Sequence, residues 1–210
     1  LTLGKKGVNP VSSLNNIKQA ALILFAKKGY EATTLNDIAA EVGIKKPSLY
    51  VYFSSKEDLF LSIFDDLTEE YQAGMQKILD QALTLDLGHR LFHLFEQYIL
   101  LFVDEPIKSM LWNRIFLFPP ADIKEKLHTR IREIEEAVLQ QETDIIMELV
   151  KSGTIRKLNS IDVTLSFRAL REGLLMAYLM NPHMEREKIK ATWDCFWIGL
   201  RKGENGHEGH

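Results

Sequence analysis

Hydrophobic residues recur at helical spacing along almost the whole 210-residue chain, and the alternation typical of strands is scarce. Residues 13–28 carry one apolar face and end in Lys27 and Lys28, which suit the negative end of a helix dipole. Gly29 then provides a usual helix stop. The pattern predicts an all-α protein of about nine helices.

The segment after Gly29 predicts a second, short helix with a strong start signal. Leu35, Ile38 and Val42 fall on one helical face. Thr34 precedes them and Asp37 follows three residues later, which is the pattern of a capping box.

The stretch GIKKPSLYVYF, residues 43–53, predicts a turn and a third helix. Gly43 suits the turn, and Pro47 suits the first turn of a helix, where its missing N–H costs nothing. Leu49 and Phe53 are four residues apart and are expected to face inward together. The polar side chains around them are left to face outward: Lys45, Lys46, Ser48, Tyr50 and Tyr52.

Two short helices joined by a glycine turn, with lysines at the start of the second, form the pattern of a helix-turn-helix. The small residues Ala39 and Gly43 let the two helices cross closely. Lysine can reach guanine acceptors or phosphates, and hydroxyl groups can donate to phosphate oxygens. We therefore predict that the third helix enters the major groove of DNA.

Longer helices are predicted from residue 56 onward, where Ser55 and Asp58 give another capping signature. Glycine, proline and serine separate these helices, which are expected at residues 56–83, 87–103, 105–117, 120–152, 160–180 and 185–202. We predict a DNA-binding domain at 1–56, an effector-binding and dimerisation domain at 57–203, and a disordered polar tail at 204–210.

The charge distribution separates the first 56 residues from the rest. The chain has a net charge of −3, yet residues 1–56 hold eight lysines against three acids. A basic module on an acidic body is expected when one end meets phosphate groups.

Apolar stretches stay short of the ~18 residues of a membrane span, and residues 1–10 lack a signal-peptide core. We predict a cytoplasmic protein that does not associate with membranes.

Residues 13–60 resemble the DNA-binding domain of the TetR family of bacterial transcriptional regulators. The resemblance rests on the run FAKKGYEATTLNDIAAEVGIKKPSLYVYFSSKEDLF. This run has the family's phenylalanine, glycine and aromatic residue around the end of helix one and its Asp-Ile-Ala core in helix two. It also has the glycine–aliphatic turn, a Leu-Tyr-x-aromatic-Phe segment and a Lys-Glu-x-Leu start to helix four.

The resemblance implies roles for individual residues. It implies one phosphate contact for Thr34, through its hydroxyl or backbone N–H, and another for Lys56. Base-edge contacts are implied for Lys45, Lys46, Pro47 and Ser48, and phosphate or sugar contacts for Tyr50 and Tyr52. Plainer interpretations stay open at two positions: Tyr50 packs against the protein, or Pro47 only starts the helix.

The sequence departs from the family pattern at two positions. Lys45 stands where serine often caps the recognition helix, and Tyr52 stands where histidine is common. We expect the lysine to weaken the helix start while adding a charge, and the tyrosine to keep a hydrogen-bonding ring. Both departures leave the operator sequence open.

For the rest of the chain, the family implies an all-α domain that pairs two protomers and encloses a ligand pocket. Residues 91–102 and 109–118 are dense in aromatic side chains, which commonly line apolar pockets between helices. We predict the following as pocket-lining residues: Tyr98, Trp112, Asn113, Arg114, Phe116, Arg168 and Glu172. The alternative is that the aromatics are plain core and the charges lie at the surface.

The last two helices are predicted to form the dimer interface as a four-helix arrangement. The final helix is too apolar for a free surface, because it carries Ile189, Trp193, Phe196, Trp197 and Leu200. Cys195, the single cysteine, lies beside the tryptophans and is expected to be a small buried residue.

Residue spacing indicates no catalytic or metal-binding arrangement. His89 and His93 are four residues apart, but no HExxH carboxylate or third ligand accompanies them. We predict no cofactor and no enzymatic activity. The predicted protein is a homodimeric, ligand-responsive transcriptional regulator. The first prediction is a repressor that binds a palindromic operator and is released from it by a small-molecule effector. The alternatives are an activator, an inducer-independent regulator, or an all-α ligand-binding protein or enzyme that does not bind DNA.

Overall fold

The computed structural model describes residues 10–181 and 183–202, without the side chains of residues 10–12. Nine α-helices and one 3₁₀ turn at Ala121–Ile123 make up this part of the chain. The helices are α1 (Pro10–Lys28), α2 (Leu35–Val42), α3 (Lys46–Leu49), α4 (Lys56–Leu83), α5 (Leu87–Val103), α6 (Pro106–Leu117), α7 (Lys124–Lys151), α8 (Ser160–Met180) and α9 (Glu187–Leu200). The all-α prediction is confirmed, and the tail predicted at 204–210 lies outside the described residues.

Helix α3 is shorter than the sequence predicted. After Leu49 the chain turns, and the amides of Tyr52 and Phe53 both donate to the carbonyl oxygen of Leu49, at 2.9 and 3.0 Å. The helix starts weakly because Lys45 at its N-cap makes no side-chain capping bond and Pro47 has no N–H. β-Branched and aromatic residues at positions 50–53 add little helix propensity.

The described chain folds as two compact units. The first unit contains the residues up to Glu70 together with Ile107–Thr129, and the second contains Tyr71–Pro106 and the residues from Arg130 onward. The chain therefore leaves the first unit within α4, returns to it as α6, and leaves it again within α7. The domain boundary predicted after residue 56 falls inside the first unit, and as a functional division it stays a prediction.

The first unit is built around the short helices, with α1 packed on α2 and α2 on α3. Leu49 and Phe53 are buried, as their spacing predicted, and they anchor the α3 region. The rings of Phe25, Tyr30 and Phe60 form a cluster with centroids 4.9–5.8 Å apart. This cluster fixes the end of α1 against the start of α4.

In the second unit, α5 packs on α8 and α9, and their aromatic rings interlock. Trp193 lies 5.5 Å from Phe95 and 6.4 Å from Phe167, centroid to centroid. Trp193 is therefore part of the protomer's own core, and so are Ile189 and Leu200, which are also buried. Their contact with a partner protomer stays a prediction, and these three residues have almost no exposed surface with which to make it.

Cys195 is exposed, which corrects the expectation that it is buried. Helical geometry explains the difference, because a residue two positions after Trp193 points to nearly the opposite side of α9. None of the helices in residues 10–181 and 183–202 combines the length and apolarity needed to cross a bilayer.

Candidate nucleic-acid interface

Helix α2 begins with the capping box that the sequence predicted. The amide of Asp37 donates to the hydroxyl of Thr34 at 3.1 Å, and the amide of Thr34 donates to the Asp37 carboxylate at 2.9 Å. The Thr34 hydroxyl also donates to that carboxylate, at 2.6 Å, and these bonds lower the pKa of Asp37. Both donors of Thr34 are thus engaged, so a phosphate contact by Thr34 would have to replace a bond to Asp37.

Gly43 makes the turn between the two helices. Its φ of +73° lies in the left-handed region that favours glycine. The amides of Gly43 and Ile44 donate to the carbonyl oxygens of Ala40 and Ala39, at 3.1 and 2.9 Å, and so close the end of α2. This closure sets the direction in which α3 leaves the turn.

The structure places most of the predicted DNA-contacting residues on one exposed surface. Leu49 and Phe53 face inward, and Tyr52 is half-buried. The exposed set is Lys45, Lys46, Pro47, Ser48 and Tyr50. The ammonium of Lys46 lies 6.0 Å from the centre of the Tyr50 ring. The surface offers positive charge and hydroxyl groups, the chemistry that meets phosphate oxygens and base edges.

Val51 belongs to the same surface, although the sequence did not single it out. Val51 is 78 % exposed and lies two positions after the buried anchor Leu49, in the turn that follows α3. An exposed apolar side chain on a DNA-reading surface can contact the methyl group of thymine. The sequence signal was its place between Tyr50 and Tyr52, which were both predicted to face outward.

Lys56, the first residue of α4, is already bonded within the protein. Its ammonium donates to the carbonyl oxygen of Tyr30 at 2.8 Å and lies 4.1 Å from the centre of the Tyr30 ring. If Lys56 contacts a phosphate as predicted, its ammonium has to bind that phosphate and the Tyr30 carbonyl oxygen at the same time, or give up the internal bond.

The predicted pocket residues divide between the two units. Trp112, Asn113, Arg114 and Phe116 belong to the first unit, and Tyr98, Arg168 and Glu172 belong to the second. In the first unit, Trp112 stacks near Phe64 with centroids 6.3 Å apart, and Asn113 donates to the carbonyl oxygen of Ser109 at 2.9 Å. Phe116 is exposed. The single predicted set thus consists of two separate groups.

Arg114 has a defined task in the first unit. Its Nε donates to the carbonyl oxygen of Ala26 at 2.7 Å, and a terminal nitrogen donates to that of Lys27 at 3.1 Å. These carbonyls belong to the last turn of α1, where backbone acceptors lack helical partners. The guanidinium therefore caps α1 from α6.

A chain of charges crosses the second unit. Arg168 bonds to Glu135 and, at 3.2 Å, to Glu142, and Glu142 also bonds to Arg171. Arg171 and Glu142 are completely buried, and the Nε of Arg171 has no hydrogen-bond partner among the described residues. Glu172 is half-exposed and lies 3.5 Å from Arg171. We refer to these five residues as the buried charge network.

Two tyrosines border the buried charge network. The Tyr71 hydroxyl donates to Glu135 at 2.9 Å, and the Arg171 guanidinium lies 3.5 Å from the centre of the Tyr98 ring. Burial raises the pKa of both phenols well above its usual range, and this outweighs the lowering effect of Arg171. Both phenols are therefore neutral at physiological pH.

The sequence analysis missed Arg171 and Glu142, although a signal for each was present. Arg171 stands four residues from Phe167 and from Leu175, on the stripe of α8 that is buried. Glu142 lies on the corresponding stripe of α7, between Val138 and Ile146. A charged residue in register with an apolar stripe signals a buried charge that needs a partner of opposite sign, and here the two residues are partners.

The two histidines considered as metal ligands do not gather a third ligand. His89 pairs with the Asp86 carboxylate through Nδ1 at 2.7 Å, at the start of α5. Within the described part of the chain, no group of three or more His, Cys, Asp or Glu side chains is placed to hold a metal ion.

Residues 17–63 match the family model described as bacterial regulatory proteins, tetR family. The HTH-type transcriptional repressor KstR2 of Rhodococcus jostii is 32 % identical over 160 residues, which span 72 % of this chain and 71 % of that protein. The KstR2 of Mycolicibacterium smegmatis is 30 % identical over 171 residues, or 78 % of this chain and 76 % of that protein.

The ketosteroid transcriptional regulator KstR2 of Mycobacterium tuberculosis has the same fold, with a TM-score of 0.71 at 20 % identity, covering 93 % of this chain and 97 % of that one. The match to the family model covers the capped helix α2, its glycine turn and the basic α3 surface. The relatives extend the similarity over most of the chain. The chain therefore belongs to the tetR family of bacterial regulatory proteins, and it is a helix-turn-helix transcriptional regulator.

Proposed function

We propose that this regulator is a dimeric repressor that binds a palindromic operator and leaves it when a small-molecule effector binds. The observation that carries the proposal is the exposed basic surface of α3, anchored from behind by Leu49 and Phe53. Regulation of this kind requires binding alone and no catalytic step. It takes place where the chromosome lies, which is the cytoplasm of a bacterium.

In the proposed complex, α3 of each protomer enters a major groove, with half-site centres about 34–36 Å apart or a multiple of that distance. Base edges face Lys45, Lys46, Pro47 and Ser48, and Val51 adds a contact to a thymine methyl group. Tyr50 and Tyr52 lie against phosphate or sugar. At the start of α2, Thr34 and the backbone amides of the first helical turn receive a phosphate.

We propose that dimerisation uses the exposed apolar face of α8 together with α9. It lies outside the buried residues Ile189, Trp193 and Leu200. Its largest exposed apolar side chains are Ile161, Leu165, Met176, Met180 and Ile198. Single exposed apolar residues are common, but such a row along consecutive helices is typical of a subunit interface. Phe196 and Trp197, which are half-buried, contribute at its edge.

The effector is proposed to bind in the second unit near Tyr98, Arg168 and Glu172. Aromatic rings with a few convergent polar groups are the usual lining of a pocket for an apolar ligand with one polar end. The transcriptional regulator FadR of Bacillus subtilis, in complex with stearoyl-CoA, shares the fold, with a TM-score of 0.65 at 18 % identity over 89 % of this chain and 99 % of that one. We therefore propose an acyl thioester or a similar apolar molecule with an oxygen-bearing end.

Operator binding is tested by selecting DNA from a random-sequence pool and titrating the selected duplex by fluorescence anisotropy. If each protomer neutralises ~4 phosphates, the logarithmic salt slope is about −7 and affinity falls roughly 10³–10⁵-fold between about 50 and 200 mM salt. A folded protein that binds no DNA at low salt would refute the proposal.

Dimerisation through α8 is tested with Leu165→Glu, which places a charge on the proposed interface. We expect a monomer in analytical ultracentrifugation and loss of operator binding. The matched control is Leu139→Glu, an exposed leucine of α7 outside the proposed face, which should stay dimeric. Equal behaviour of the two variants would exclude this face.

The effector class is tested by adding stearoyl-CoA to the operator complex, with coenzyme A and stearate as separate controls. Release by the thioester alone supports the proposal. No release by thioesters of any chain length would remove this effector class and leave the DNA-binding proposal intact.

A further inference from the structure

The end of α1 is held by two cations that come from two other helices. Arg114 of α6 donates to the carbonyl oxygens of Ala26 and Lys27, and Lys56 of α4 donates to that of Tyr30. Two carbonyl acceptors in the last turn of α1, at the negative end of its dipole, and a third at Tyr30 in the corner that follows it thus accept hydrogen bonds from positively charged groups. We call Arg114 and Lys56 the α1 clamp.

The clamp closes tightly around the corner that follows α1. Gly29 has a φ of +89°, and a Cβ atom built there would lie 3.3 Å from a terminal nitrogen of Arg114. The Tyr30 ring is wedged against Phe25 and Phe60, with the Lys56 ammonium 4.1 Å from its centre. Gly29 and Tyr30 are therefore fixed from both sides.

This corner leads directly to the DNA-reading helices. The hydroxyl of Thr33, which is buried, donates to the carbonyl oxygen of Gly29 at 2.7 Å. The next residue is Thr34, the N-cap of α2, and α2 carries α3 through the Gly43 turn. A shift at the end of α1 is thereby passed to the position of α3.

We propose that Lys56 and Arg114 are positioning residues for operator recognition. Lys56 then acts through Tyr30 rather than as a phosphate contact, and Arg114 acts through α1 rather than as an effector contact. The proposal rests on the proposed function only in that α3 reads the operator. Both side chains work by holding backbone carbonyls whose place determines the direction of α2.

The two roles of Lys56 differ in their dependence on salt. A phosphate contact contributes to binding of every DNA sequence, and its loss lowers the salt slope of a dimer by about 1.8. A positioning residue affects only the fit of α3 to its correct site. Its loss lowers operator affinity while the affinity for unrelated DNA and the salt slope stay the same.

The experiment compares Lys56→Met and Arg114→Met in the whole 210-residue chain, with titrations of selected operator DNA and of a scrambled duplex at several salt concentrations. Lys126→Met is the matched control, because this lysine of the first unit pairs with Glu57 at 2.8 Å and not with the α1 carbonyls. It removes the same charge without opening the clamp.

We expect each clamp variant to lose about tenfold or more in operator affinity, the usual effect of removing a hydrogen bond made by a charged group. Affinity for scrambled DNA and the salt slope should match those of Lys126→Met. Arg114→Lys, which keeps the charge but not the two-pronged geometry, should recover part of the loss.

Two results would overturn the proposal. One is a Lys56→Met protein that binds both duplexes more weakly and has a reduced salt slope. This result would show that Lys56 contacts a phosphate. The other is operator affinity equal to that of the control in both clamp variants. If Arg114→Met does not fold, the operator affinity of Arg114→Lys tests the positioning role of Arg114.

Hydrogen exchange separates failure of the clamp from failure of the proposed function. The amides of Gly29 and Thr33 donate to Phe25 and Tyr30 at 3.0 and 3.3 Å. Without any DNA, these amides should exchange faster in the clamp variants than in Lys126→Met. Unchanged exchange rates would refute the clamp even if the wild-type protein bound no operator.

Discussion

The two compact units of this regulator differ in whether they bury charged side chains. In the described part of the first unit, the buried polar side chains are neutral: Thr33, Thr68 and Ser109. Its cations lie at the surface or cap backbone carbonyls, as Arg114 and Lys56 do. The second unit instead buries Arg171 and Glu142 completely.

This difference in the burial of charge is consistent with different requirements on the surfaces of the two units. A DNA-reading surface needs exposed cations on a rigid frame, so charges at the surface serve its function directly. Burying an ion pair in place of apolar side chains gives little or no gain in stability, because desolvation offsets the attraction. The buried charge network is therefore better explained by specificity of packing in the second unit than by stability.

The largest expected effect comes from breaking the buried pair. Arg171→Met leaves Glu142 buried with only Arg168 beside it, and we expect a loss of about 3–5 kcal/mol in the free energy of unfolding, measured in urea. Adding Glu142→Leu should restore much of this loss. The control is Arg130→Met, whose exposed pair with Glu133 spans 3.8 Å. Equal losses in the two single variants would contradict the burial argument.

The second unit should also lose stability in alkali. The folded state raises the pKa of Tyr71 and Tyr98 above the ordinary value of 10.0. Above that pH the unfolded chain releases protons that the folded chain keeps, so the free energy of unfolding falls as pH rises. The slope is at most about 1.4 kcal/mol per pH unit for each phenol. Denaturation at increasing pH should show a shallower decline in Tyr98→Phe, and an unchanged decline would exclude Tyr98 as its source.

In the first unit, the capping box should have a smaller and opposite pH dependence. Thr34→Ala removes the N-cap bond of α2 and should cost about 1 kcal/mol, measured by amide exchange in α2. The Thr34 bonds lower the pKa of Asp37, so this stabilisation is present above the carboxyl's unfolded pKa and fades as pH falls through its folded value. The acid dependence should disappear in Asp37→Asn, and its persistence there would assign it to another group.

The smallest effect is expected from a surface pair of the first unit. Lys18 and Asp66 are 2.7 Å apart, with side chains 21 % and 50 % exposed. Solvent screening limits such pairs to about 1 kcal/mol or less, so Lys18→Met should barely change the urea midpoint. A loss comparable to that of Arg171→Met would remove the contrast between the two units.

Sequence pattern predicted the first unit in unusual detail because its signals are local. The box of Thr34 and Asp37 and the Gly43 turn each lie within a few consecutive residues. Leu49 and Phe53 are four positions apart, so one helical period decides that both are buried. The end of α3 was misplaced, at a segment where the helix signals are weak, and α7 begins at Lys124 rather than at residue 120.

The second unit was harder to predict because its signals depend on distant partners. The spacing of Ile189, Trp193 and Leu200 indicated a buried face on α9, and these residues are indeed buried. It could not indicate whether the covering surface is the same protomer or another one. That choice depends on how α5 and α8 pack, which no local period records.

The sequence by itself determined the helices, the faces they bury and the exposed basic surface of α3, because helical periodicity and capping act over a few residues. Only the tertiary structure decided which partner each charged side chain has. Arg114 meets Ala26 across 88 positions, Lys56 meets Tyr30 across 26, and Arg171 meets Glu142 across 29. Such pairs form when packed helices bring distant residues together, so they follow from the assembled fold rather than from any stretch of the chain.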